Sequence, residues 1–310
     1  MHTPLTIVIA GSTHHTSQCA QALLHDKRFT IVGIITPTPK PSGRKKEIKN
    51  NPLHEFAINQ DIPVLLVGKK IDETLHTALT KNVQAPDILL VIDFGYIVPP
   101  WLLDWPKIGP VNIHPSDLPK YRGSSPGQFA LLFGEAESAI TVMRMDEKLD
   151  HGSIITKIFF EIEPTWTSIE YYSHAFSLIA KDLSTILYEF CQTQQKIENQ
   201  SDESPTPTAR MLTREDGFVP LETLKSIVMN AIPTVPVPFL ASYAIKSTSR
   251  NLYNMWRGLT PWPGIWTHVE KNGKKERVKV LKMSKENEKL LVETVQFEGK
   301  LPEEYKEHLL

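Results

Sequence analysis

The sequence of 310 residues contains only two cysteines, Cys19 and Cys191. Two cysteines are too few for a disulfide framework or a cysteine-based metal site, and they favour a reducing cytoplasm. The sequence also lacks the run of about 20 apolar residues that crosses a bilayer. The apolar stretch at residues 5–10 follows no basic segment, so it predicts a buried strand and not a signal peptide. The 24 prolines form no tract or repeat, which excludes disordered and fibrous proteins.

A net charge of one sign is also lacking, because 34 Lys and Arg oppose 35 Asp and Glu. Residues 1–204 carry 18 basic and 23 acidic side chains, whereas residues 205–310 carry 16 and 12. The basic residues cluster in a loop with Lys40, Arg44, Lys45, Lys46 and Lys49, and further on at Lys271, Lys274, Lys275, Arg277, Lys279, Lys282, Lys285 and Lys289. Two basic patches on a neutral protein indicate a polyanion held at two places, although a solvated surface is the alternative explanation for each patch.

The first 160 residues alternate apolar, β-branched runs with helical patterns, which predicts a doubly wound α/β domain with a mostly parallel sheet. We predict strands at residues 5–10, 29–36, 63–67, 87–92, 108–114, 139–145 and 153–162, and helices at about 15–26, 52–60, 71–82 and 127–134. Such sheets bind ligands beyond the carboxyl ends of their strands. Only Gly11 follows the first strand, so the G-x-G-x-x-G fingerprint is absent and we expect no nicotinamide cofactor.

A long helical pattern over residues 167–195 precedes a polar, proline-bearing segment that has the composition of a linker. We therefore predict a catalytic domain at 1–195, a linker at 196–208 and a C-terminal domain at 209–310. Further helices are predicted near 220–230 and 248–258, short strands around 265–270, 277–283 and 289–297, and a short helix or frayed end at 301–310. Short strands after a helix predict a small β-barrel or sheet for the C-terminal domain.

Asn112 and His114 are the most informative polar residues, because they lie two apart at the carboxyl end of a predicted strand and so share one face. An amide can donate to a developing oxyanion and a histidine can move a proton, which suits addition to a carbonyl. Asp150, in the turn after a later strand, is placed to orient the imidazole. The alternative is that Asn112 and His114 only cap backbone groups near a turn. His14 and His15 form another strand-end pair, but no other ligand accompanies them, so we predict no metal.

The segment 88–157 resembles the formyltransferases that use 10-formyltetrahydrofolate. It carries DFGYIVP at 93–99, NIHPSDLPKYRGSSP at 112–126 and ITVMRMDEKLDHG at 140–152. The resemblance implies a Rossmann-like formyltransferase fold, catalytic roles for Asn112, His114 and Asp150, and no metal. It also implies folate contacts at Phe94, Gly95, Ile97, Val98, Ser116, Asp117, Leu118 and Pro119. Asp117 departs from the family, which usually has leucine there.

Over most of the chain the sequence is similar to the branch of that family that acts on methionyl-tRNA. PSGRKK at 41–46, REDG at 214–217 and PWPG at 261–264 have counterparts in that branch, whereas residues 218–247 look like an insertion and the C-terminal, OB-like barrel ends early. The resemblance implies a cytoplasmic, monomeric enzyme that formylates the free α-amine of initiator methionyl-tRNA for translation initiation. It implies tRNA contacts at Arg44, Lys45, Lys46, Lys271, Lys274, Lys275 and Arg277.

The resemblance implies a mechanism in which Asn112 and His114 stabilise the oxyanion formed when the amine attacks, while Asp150 holds His114. The same three residues serve formyltransferases acting on amino-sugar nucleotides or on a purine precursor, and a hydrolase that releases formate. A sugar-nucleotide enzyme does not require a basic C-terminal domain, and a stand-alone purine enzyme is usually shorter. A folate- or RNA-binding protein without catalysis is a further alternative, against which the three residues argue.

Overall fold

The computed structural model describes residues 3–42, 47–193, 197–271, 273–286 and 289–306. The chain divides into two compact units. The first unit comprises Met1–Arg122, Ala139–Phe160 and Ser173–Pro205, and the second comprises Gly123–Ser138, Glu161–Tyr172 and Thr206–Leu310. The second unit therefore includes two segments that lie well before the predicted linker. The domain boundaries at residues 195 and 209 stay a prediction.

The first two thirds of the chain supply strands and helices in alternation. The strands are β1 (Leu5–Gly11), β2 (Phe29–Pro37), β3 (Lys40–Ser42), β4 (Glu47–Lys49), β5 (Val64–Val67), β6 (Ile88–Ile92), β7 (Gly109–His114), β8 (Glu137–Arg144) and β9 (Ile154–Glu161). The helices are α1 (His14–Leu24), α2 (Pro52–Asn59), α3 (Glu73–Asn82), α4 (Pro100–Leu103), α5 (Pro126–Phe133) and α6 (Ser168–Thr193). The strands and helices predicted for this region are confirmed, and the structure adds α4 and the short β3–β4 pair.

The main sheet has seven strands in the order β5-β2-β1-β6-β7-β8-β9. Strands β5, β2, β1, β6 and β7 pair in parallel, and β8 runs antiparallel to β7. This confirms the predicted doubly wound, mostly parallel sheet. The order reverses between β1 and β6, because the chain first adds β2 on one side of β1 and later adds β6 on the other. Ligands of such sheets bind at this reversal, beyond the carboxyl ends of the strands.

Continuous apolar runs form the inner strands because both faces of the sheet are covered. Ile7, Val8 and Ile9 of β1 are fully buried, and all five residues of β6 are buried. Helices α1, α2 and α3 begin at polar residues whose side chains cap the helix. The Thr13 side chain caps α1, and the Asn51 side chain caps α2. The core therefore fixes the strand ends from which the candidate site is built.

The loop predicted after β2 for the first basic cluster has paired ends, which form strands β3 and β4. Lys40 lies opposite Lys49, and Ser42 lies opposite Glu47. The tip of this hairpin, which carries the predicted tRNA contacts Arg44, Lys45 and Lys46, lies outside the described residues.

The C-terminal part of the second unit contains helices followed by an antiparallel sheet. These elements are a 3₁₀ helix (Arg214–Gly217), helices α7 (Leu221–Val228), α8 (Pro238–Ala241) and α9 (Ser249–Leu259), and strands β10 (Ile265–Lys271), β11 (Lys274–Glu286), β12 (Lys289–Phe297) and β13 (Glu303–Glu304). The four strands pair in the order β10-β11-β12-β13. Helix α9 packs closely on α5 at Gly258. A Cβ atom at this position would lie only 2.6 Å from the backbone oxygen of Gln128, so glycine is needed there.

A helix at residues 301–310 was one of two predicted outcomes and is wrong for the described part of that segment. Glu303 and Glu304 form β13, which pairs with Val295 and Thr294 of β12. The Tyr305 backbone N–H also donates to the Glu293 carbonyl at 2.9 Å. Pairing with an available strand edge therefore overrides the local helical preference of the segment.

Asp216 ties the start of the C-terminal part together. Its carboxylate accepts hydrogen bonds from the Arg210 guanidinium at 2.7 and 2.8 Å and from the Thr213 backbone N–H at 2.6 Å. Burial acts to raise the pKa of Asp216, but these hydrogen bonds outweigh it and hold the pKa below its ordinary value. The ionised carboxylate is therefore the form that the fold stabilises.

Replacing Asp216 by alanine is expected to lower the free energy of unfolding by about 1–3 kcal/mol at pH 7, because charge-assisted hydrogen bonds are lost. Since the folded-state pKa is lowered, this contribution is present above the unfolded value of about 4 and disappears as pH falls through the folded value. Unfolding of the wild type and of Asp216→Ala at pH 7 and in acid measures the difference. The neighbouring exposed Glu215→Ala is the control, and an equal effect of both variants would refute the role of Asp216.

Candidate active site

The candidate site lies at the carboxyl end of β7, beside the point where the strand order reverses. Asn112 and His114 alternate along β7, so both side chains are on one face of the sheet. Asn112 pairs in register with Val91 of β6, and His114 pairs with Thr141 of β8. The predicted placement of this pair at a strand end is confirmed.

Asp150 reaches His114 from the turn between β8 and β9. Its Oδ2 lies 3.7 Å from Nδ1 of His114, and the two side chains are only 13% and 6% exposed. That separation is too long for a direct hydrogen bond, but it leaves the carboxylate beside the imidazole. The structure thus brings together the three residues predicted to be catalytic.

The backbone of the turn explains how Asp150 gets there. Asp150 has a φ of 48°, in the left-handed region that side chains other than glycine rarely adopt. Two residues later, a Cβ atom at Gly152 would lie 1.8 Å from the Arg144 backbone oxygen. Only glycine allows the chain to pass so closely over the end of β8.

A backbone carbonyl fixes the imidazole of His114 from its other side. Nε2 of His114 lies 3.1 Å from the Tyr121 carbonyl oxygen, so Nε2–H donates and the carbonyl accepts. Tyr121 itself has a φ of 57°. The nitrogen on the Asp150 side, Nδ1, is therefore the one left for proton exchange.

Asn112 has hydrogen-bonding capacity that the fold does not use. Its Oδ1 atom is buried and has no hydrogen-bond partner in the part of the chain that the structure describes. Most buried polar side-chain atoms in native proteins have one, because leaving such a group unpaired costs about 1–3 kcal/mol. An amide kept unsatisfied beside a histidine–carboxylate pair is the arrangement that a polar ligand completes.

Strained backbone is concentrated at this end of the sheet. Among the described residues, six that are not glycine have a positive φ, and three of them are Asp93, Tyr121 and Asp150. Each such residue costs about 1–3 kcal/mol, and such strain clusters at functional sites. The strain therefore supports a functional role independently of the side-chain chemistry.

Asp93 is a titratable residue at this edge that was quoted in a motif but given no role from the sequence. It follows β6, and its carboxylate accepts a hydrogen bond from the Thr13 hydroxyl at 2.8 Å. Burial raises the pKa of Asp93 above its ordinary value. The Thr13 hydrogen bond and the charges of His14 and His114 act to lower this pKa, but their effect is smaller. Asp93 is thus a buried carboxyl group whose charge interacts with that of His114.

The residues predicted to bind folate are divided between exposed and buried positions. The Ile97 side chain is 91% exposed, and a Cβ atom at Gly95 would meet nothing within 4 Å. Phe94 and Val98 are partly buried against the sheet core. This stretch therefore presents apolar side chains after the carboxyl end of β6.

The second predicted folate segment is held mainly by its own contacts. Ser116 and Leu118 are fully buried, and the Ser116 hydroxyl donates to the Lys120 carbonyl at 2.7 Å. The Pro119 carbonyl accepts a hydrogen bond from the Ser204 hydroxyl at 2.7 Å. The side chains of Ser116 and Leu118 therefore shape this loop.

Asp117, the departure from the family pattern, has a local counter-ion. Its carboxylate lies 2.7 Å from Nζ of Lys157 on β9 and 3.9 Å from Nζ of Lys120. Lys157 also donates to the Leu118 carbonyl. The negative charge that this chain has in place of leucine is thus paired within the first unit.

A segment that composition indicated was a linker is instead bound to the site loops. We call residues 198–204 the strap. Gln200 and Asp202 of the strap contact the Asp150 turn, and Arg122 donates to the strap. His151 is only 18% exposed and lies between the carboxylates of Asp146 and Asp202. The sequence offered one signal for these contacts, the crowding of charged residues at 146–151.

The predicted tRNA contacts that the structure describes lie on the C-terminal sheet. Lys271 ends β10, while Lys274 and Lys275 begin β11 and are exposed. Arg277 pairs with Glu298 at 2.7 Å. Lys274 and Lys275 therefore offer the more accessible positive charges.

In the part of the chain that the structure describes, no group of three or more His, Cys, Asp or Glu side chains could hold a metal ion. None of the helices in the same residues has the length and apolar character that a bilayer crossing requires. Cys19 and Cys191 are both free, and Cys19 is buried.

Comparison with known proteins gives the family. Residues 5–181 match the family described as formyl transferase, and residues 244–309 match the family described as formyl transferase, C-terminal domain. The chain is 32% identical over 277 residues to a methionyl-tRNA formyltransferase of Acidobacterium capsulatum, which covers 87% of this chain and 78% of the relative.

Two solved structures share the fold. A methionyl-tRNA formyltransferase from Clostridium thermocellum has a TM-score of 0.58 at 16% identity and covers 94% of this chain and 98% of its own. An N-formyltransferase from Helicobacter canadensis, solved with folinic acid and dTDP-3-aminofucose, has a TM-score of 0.54 at 17% identity and covers 94% of both chains. With both domain matches along one chain, the protein belongs to the formyl transferase family.

Proposed function

We propose that this protein transfers the formyl group of 10-formyltetrahydrofolate to the α-amine of initiator methionyl-tRNA. The formyl transfer is supported by the cluster of Asn112, His114 and Asp150. The choice of acceptor rests on one structural observation, the concentration of cations on β10 and β11 of the C-terminal sheet. The relative named as a methionyl-tRNA formyltransferase, at 32% identity, supports the same choice.

The roles of the three residues follow from their geometry. The folate, when bound, supplies an activated formyl group on its N10 nitrogen. Asn112 would donate a hydrogen bond from its Nδ2 to the oxygen that gains charge as the amine adds, while its buried Oδ1, which has no partner among the described residues, can accept one from an N–H of a ligand. His114, anchored at Nε2, exchanges a proton at Nδ1. Asp150 stabilises the protonated ring across 3.7 Å and leaves room for the proton's acceptor.

The folate is proposed to lie along residues 94–98 and the loop at 116–119. Ile97 supports this placement, because a large apolar side chain that is 91% exposed beside a polar site is available to cover a ring. Asp117 sets the charge of the loop, and Lys157 neutralises it.

Lys157→Ala is expected to raise the KM for 10-formyltetrahydrofolate about 5- to 50-fold, because the Asp117 charge loses its partner and the Leu118 carbonyl loses a donor. The KM for the acceptor should change little. Lys120→Ala is the matched control, since its Nζ lies farther from Asp117, at 3.9 Å. Steady-state kinetics with each substrate varied in turn measures the effect, and equal KM values for both variants and wild type would contradict it.

The tRNA acceptor is proposed to bind through phosphate contacts of the C-terminal sheet. Replacing Lys274 and Lys275 by alanine is expected to weaken tRNA binding and to lower the slope of log K against log salt by about 1.4–1.8, because two phosphate contacts are lost. The same test applies to Arg44, Lys45 and Lys46. Filter binding of initiator tRNA at several salt concentrations measures both slopes.

A matched control separates specific contacts from net charge. Lys27 and Lys81 are exposed and lie near the amino ends of β2 and β6, at the edge opposite the candidate site. Their double alanine variant removes the same charge and should leave the slope unchanged. An unchanged slope for the Lys274 and Lys275 variant would refute the proposed interface.

Cytoplasmic location and a monomeric state are part of the same proposal. The unpaired cysteines fit a reducing compartment. Burial raises the pKa of the Cys191 thiol to about 12, so it stays protonated and unreactive at neutral pH.

A further inference from the structure

Gln200 of the strap forms a bridge to the turn that carries Asp150. Its Nε2 donates to the Asp150 carbonyl at 3.1 Å and to the Gly152 carbonyl at 2.7 Å. The amide nitrogen of Gln200 thus donates both of its protons, one to the carbonyl before His151 and one to the carbonyl after it. The contacts span about 50 residues of sequence and belong to no regular element.

Arg122 holds the other end of the same amide. Its Nε and Nη2 donate to Oε1 of Gln200 at 3.2 and 3.0 Å. The guanidinium also donates to the Ser201 carbonyl at 2.6 Å and to the Asp202 carbonyl at 3.0 Å. Arg122 is only 9% exposed, so this rigid fork fixes the orientation of the Gln200 amide.

Arg122 directly follows Tyr121, whose carbonyl anchors His114 at Nε2. Gln200 directly contacts Asp150, whose carboxylate faces Nδ1. The Arg122–Gln200 pair therefore joins the backbone segments that hold the two sides of the imidazole.

Further contacts keep the strap in register with the same loops. Glu198 pairs with Ile154 as an isolated β-bridge. The Ser153 hydroxyl donates to Asn199 Oδ1 at 2.9 Å, and His151 Nε2 lies 3.1 Å from Asp202 Oδ1. The strap is thus held along its length, and Gln200 lies at its centre.

We propose that Gln200 is a positioning residue that, with Arg122, sets the distance and orientation of Asp150 relative to His114. The proposal rests on the proposed function, in which His114 and Asp150 move the proton. The left-handed backbone of Asp150 is strained, and two hydrogen bonds from Gln200 hold it in that conformation. Misplacing a reacting group by about 1 Å can cost 100-fold in rate.

Gln200→Glu is the sharpest test, because the glutamate keeps the acceptor for Arg122 and loses the donor for the Asp150 and Gly152 carbonyls. We expect kcat for formyl transfer from 10-formyltetrahydrofolate to methionyl-tRNA to fall about 10- to 100-fold. Both KM values should stay within about twofold, since Gln200 touches neither substrate. Glu203→Gln, at an exposed position of the same strap, makes the opposite charge change and should keep the wild-type rate.

A double-mutant cycle separates positioning from a general structural effect. In an Asp150→Asn background, Gln200→Glu should cause little further loss, because the residue acts through Asp150. The same fold loss in both backgrounds would overturn the proposal. If the glutamate variant fails to fold, Arg122→Lys replaces it in the cycle, with an expected loss of about 3- to 10-fold that also depends on Asp150.

The single variants distinguish failure of the positioning role of Gln200 from failure of the proposed function. Loss of turnover in Asp150→Asn together with a wild-type rate in Gln200→Glu would overturn the positioning role alone. Full turnover in Asp150→Asn would overturn the role of Asp150 in the proposed function, and the positioning role with it. Loss in both singles without further loss in the double supports both.

Discussion

An Asn112→Ala variant is expected to transfer formyl groups about 100- to 1,000-fold more slowly than the wild type, which corresponds to about 2.7–4 kcal/mol of transition-state stabilisation. The donor to the reacting oxygen would be Nδ2 of Asn112, while its buried Oδ1 has no hydrogen-bond partner among the described residues. Its removal therefore breaks no hydrogen bond of the fold that involves this atom. The loss should appear in kcat, because the hydrogen bond is strongest when charge has developed on the reacting oxygen.

Single-turnover rates and thermal unfolding of the same samples provide the measurement for Asn112. Asn82→Ala removes a surface amide at the end of α3 and should change neither property. Asn112→Asp tests the electrostatics, since a carboxylate of nearly the same shape would repel the developing oxyanion. A near-wild-type rate for either Asn112 variant would remove Asn112 from the mechanism.

A His114→Ala variant should lose about 100- to 10,000-fold in kcat, because the proposed proton transfer is removed together with the positive charge near the oxyanion. His114 is held at Nε2 by the Tyr121 carbonyl and faces Asp150 at Nδ1. His114 and Asp150 act as one unit in this account. The double variant His114→Ala/Asp150→Asn should therefore be no slower than His114→Ala by more than a few fold.

The control for His114 is His25→Ala, which removes an exposed imidazole that forms a hydrogen bond with the Gln21 side chain. The His25→Ala variant should have the kcat of the wild type. If the losses of His114→Ala and Asp150→Asn instead multiplied in the double variant, the two residues would act independently and the coupled pair would be contradicted.

The inner sheet could be predicted from sequence because burial on both faces leaves a local signal. β6 consists of five buried aliphatic residues, and the predicted strand differs from it by one residue at its start. The N-x-H spacing at 112 and 114 was equally informative, since period two places both side chains on one face. Asp150 could be placed only in the turn after a later strand, because its approach to His114 depends on a left-handed backbone conformation that composition does not reveal.

The strap could not be predicted, and the physical reason is its composition. Residues 198–204 are polar and precede a proline, which is typical of a solvated linker. Their structure comes from hydrogen bonds to Arg122, Asp150 and Gly152, which lie 78, 50 and 48 residues away from Gln200. The ion pair between Asp117 and Lys157 is likewise non-local, so the sequence showed the departure at Asp117 without its compensation.

The measurement that tests the central claim most directly is the destination of the formyl group. The purified protein is incubated with 10-formyltetrahydrofolate labelled in its formyl group and, in separate reactions, with initiator methionyl-tRNA, with a dTDP-amino-sugar, or with no acceptor. The account predicts that label enters methionyl-tRNA as N-formylmethionine, and that Asn112→Ala lowers the rate of this transfer about 100- to 1,000-fold. Label in the amino sugar but not in methionyl-tRNA, release as formate without an acceptor, or no consumption of the donor at all would contradict it.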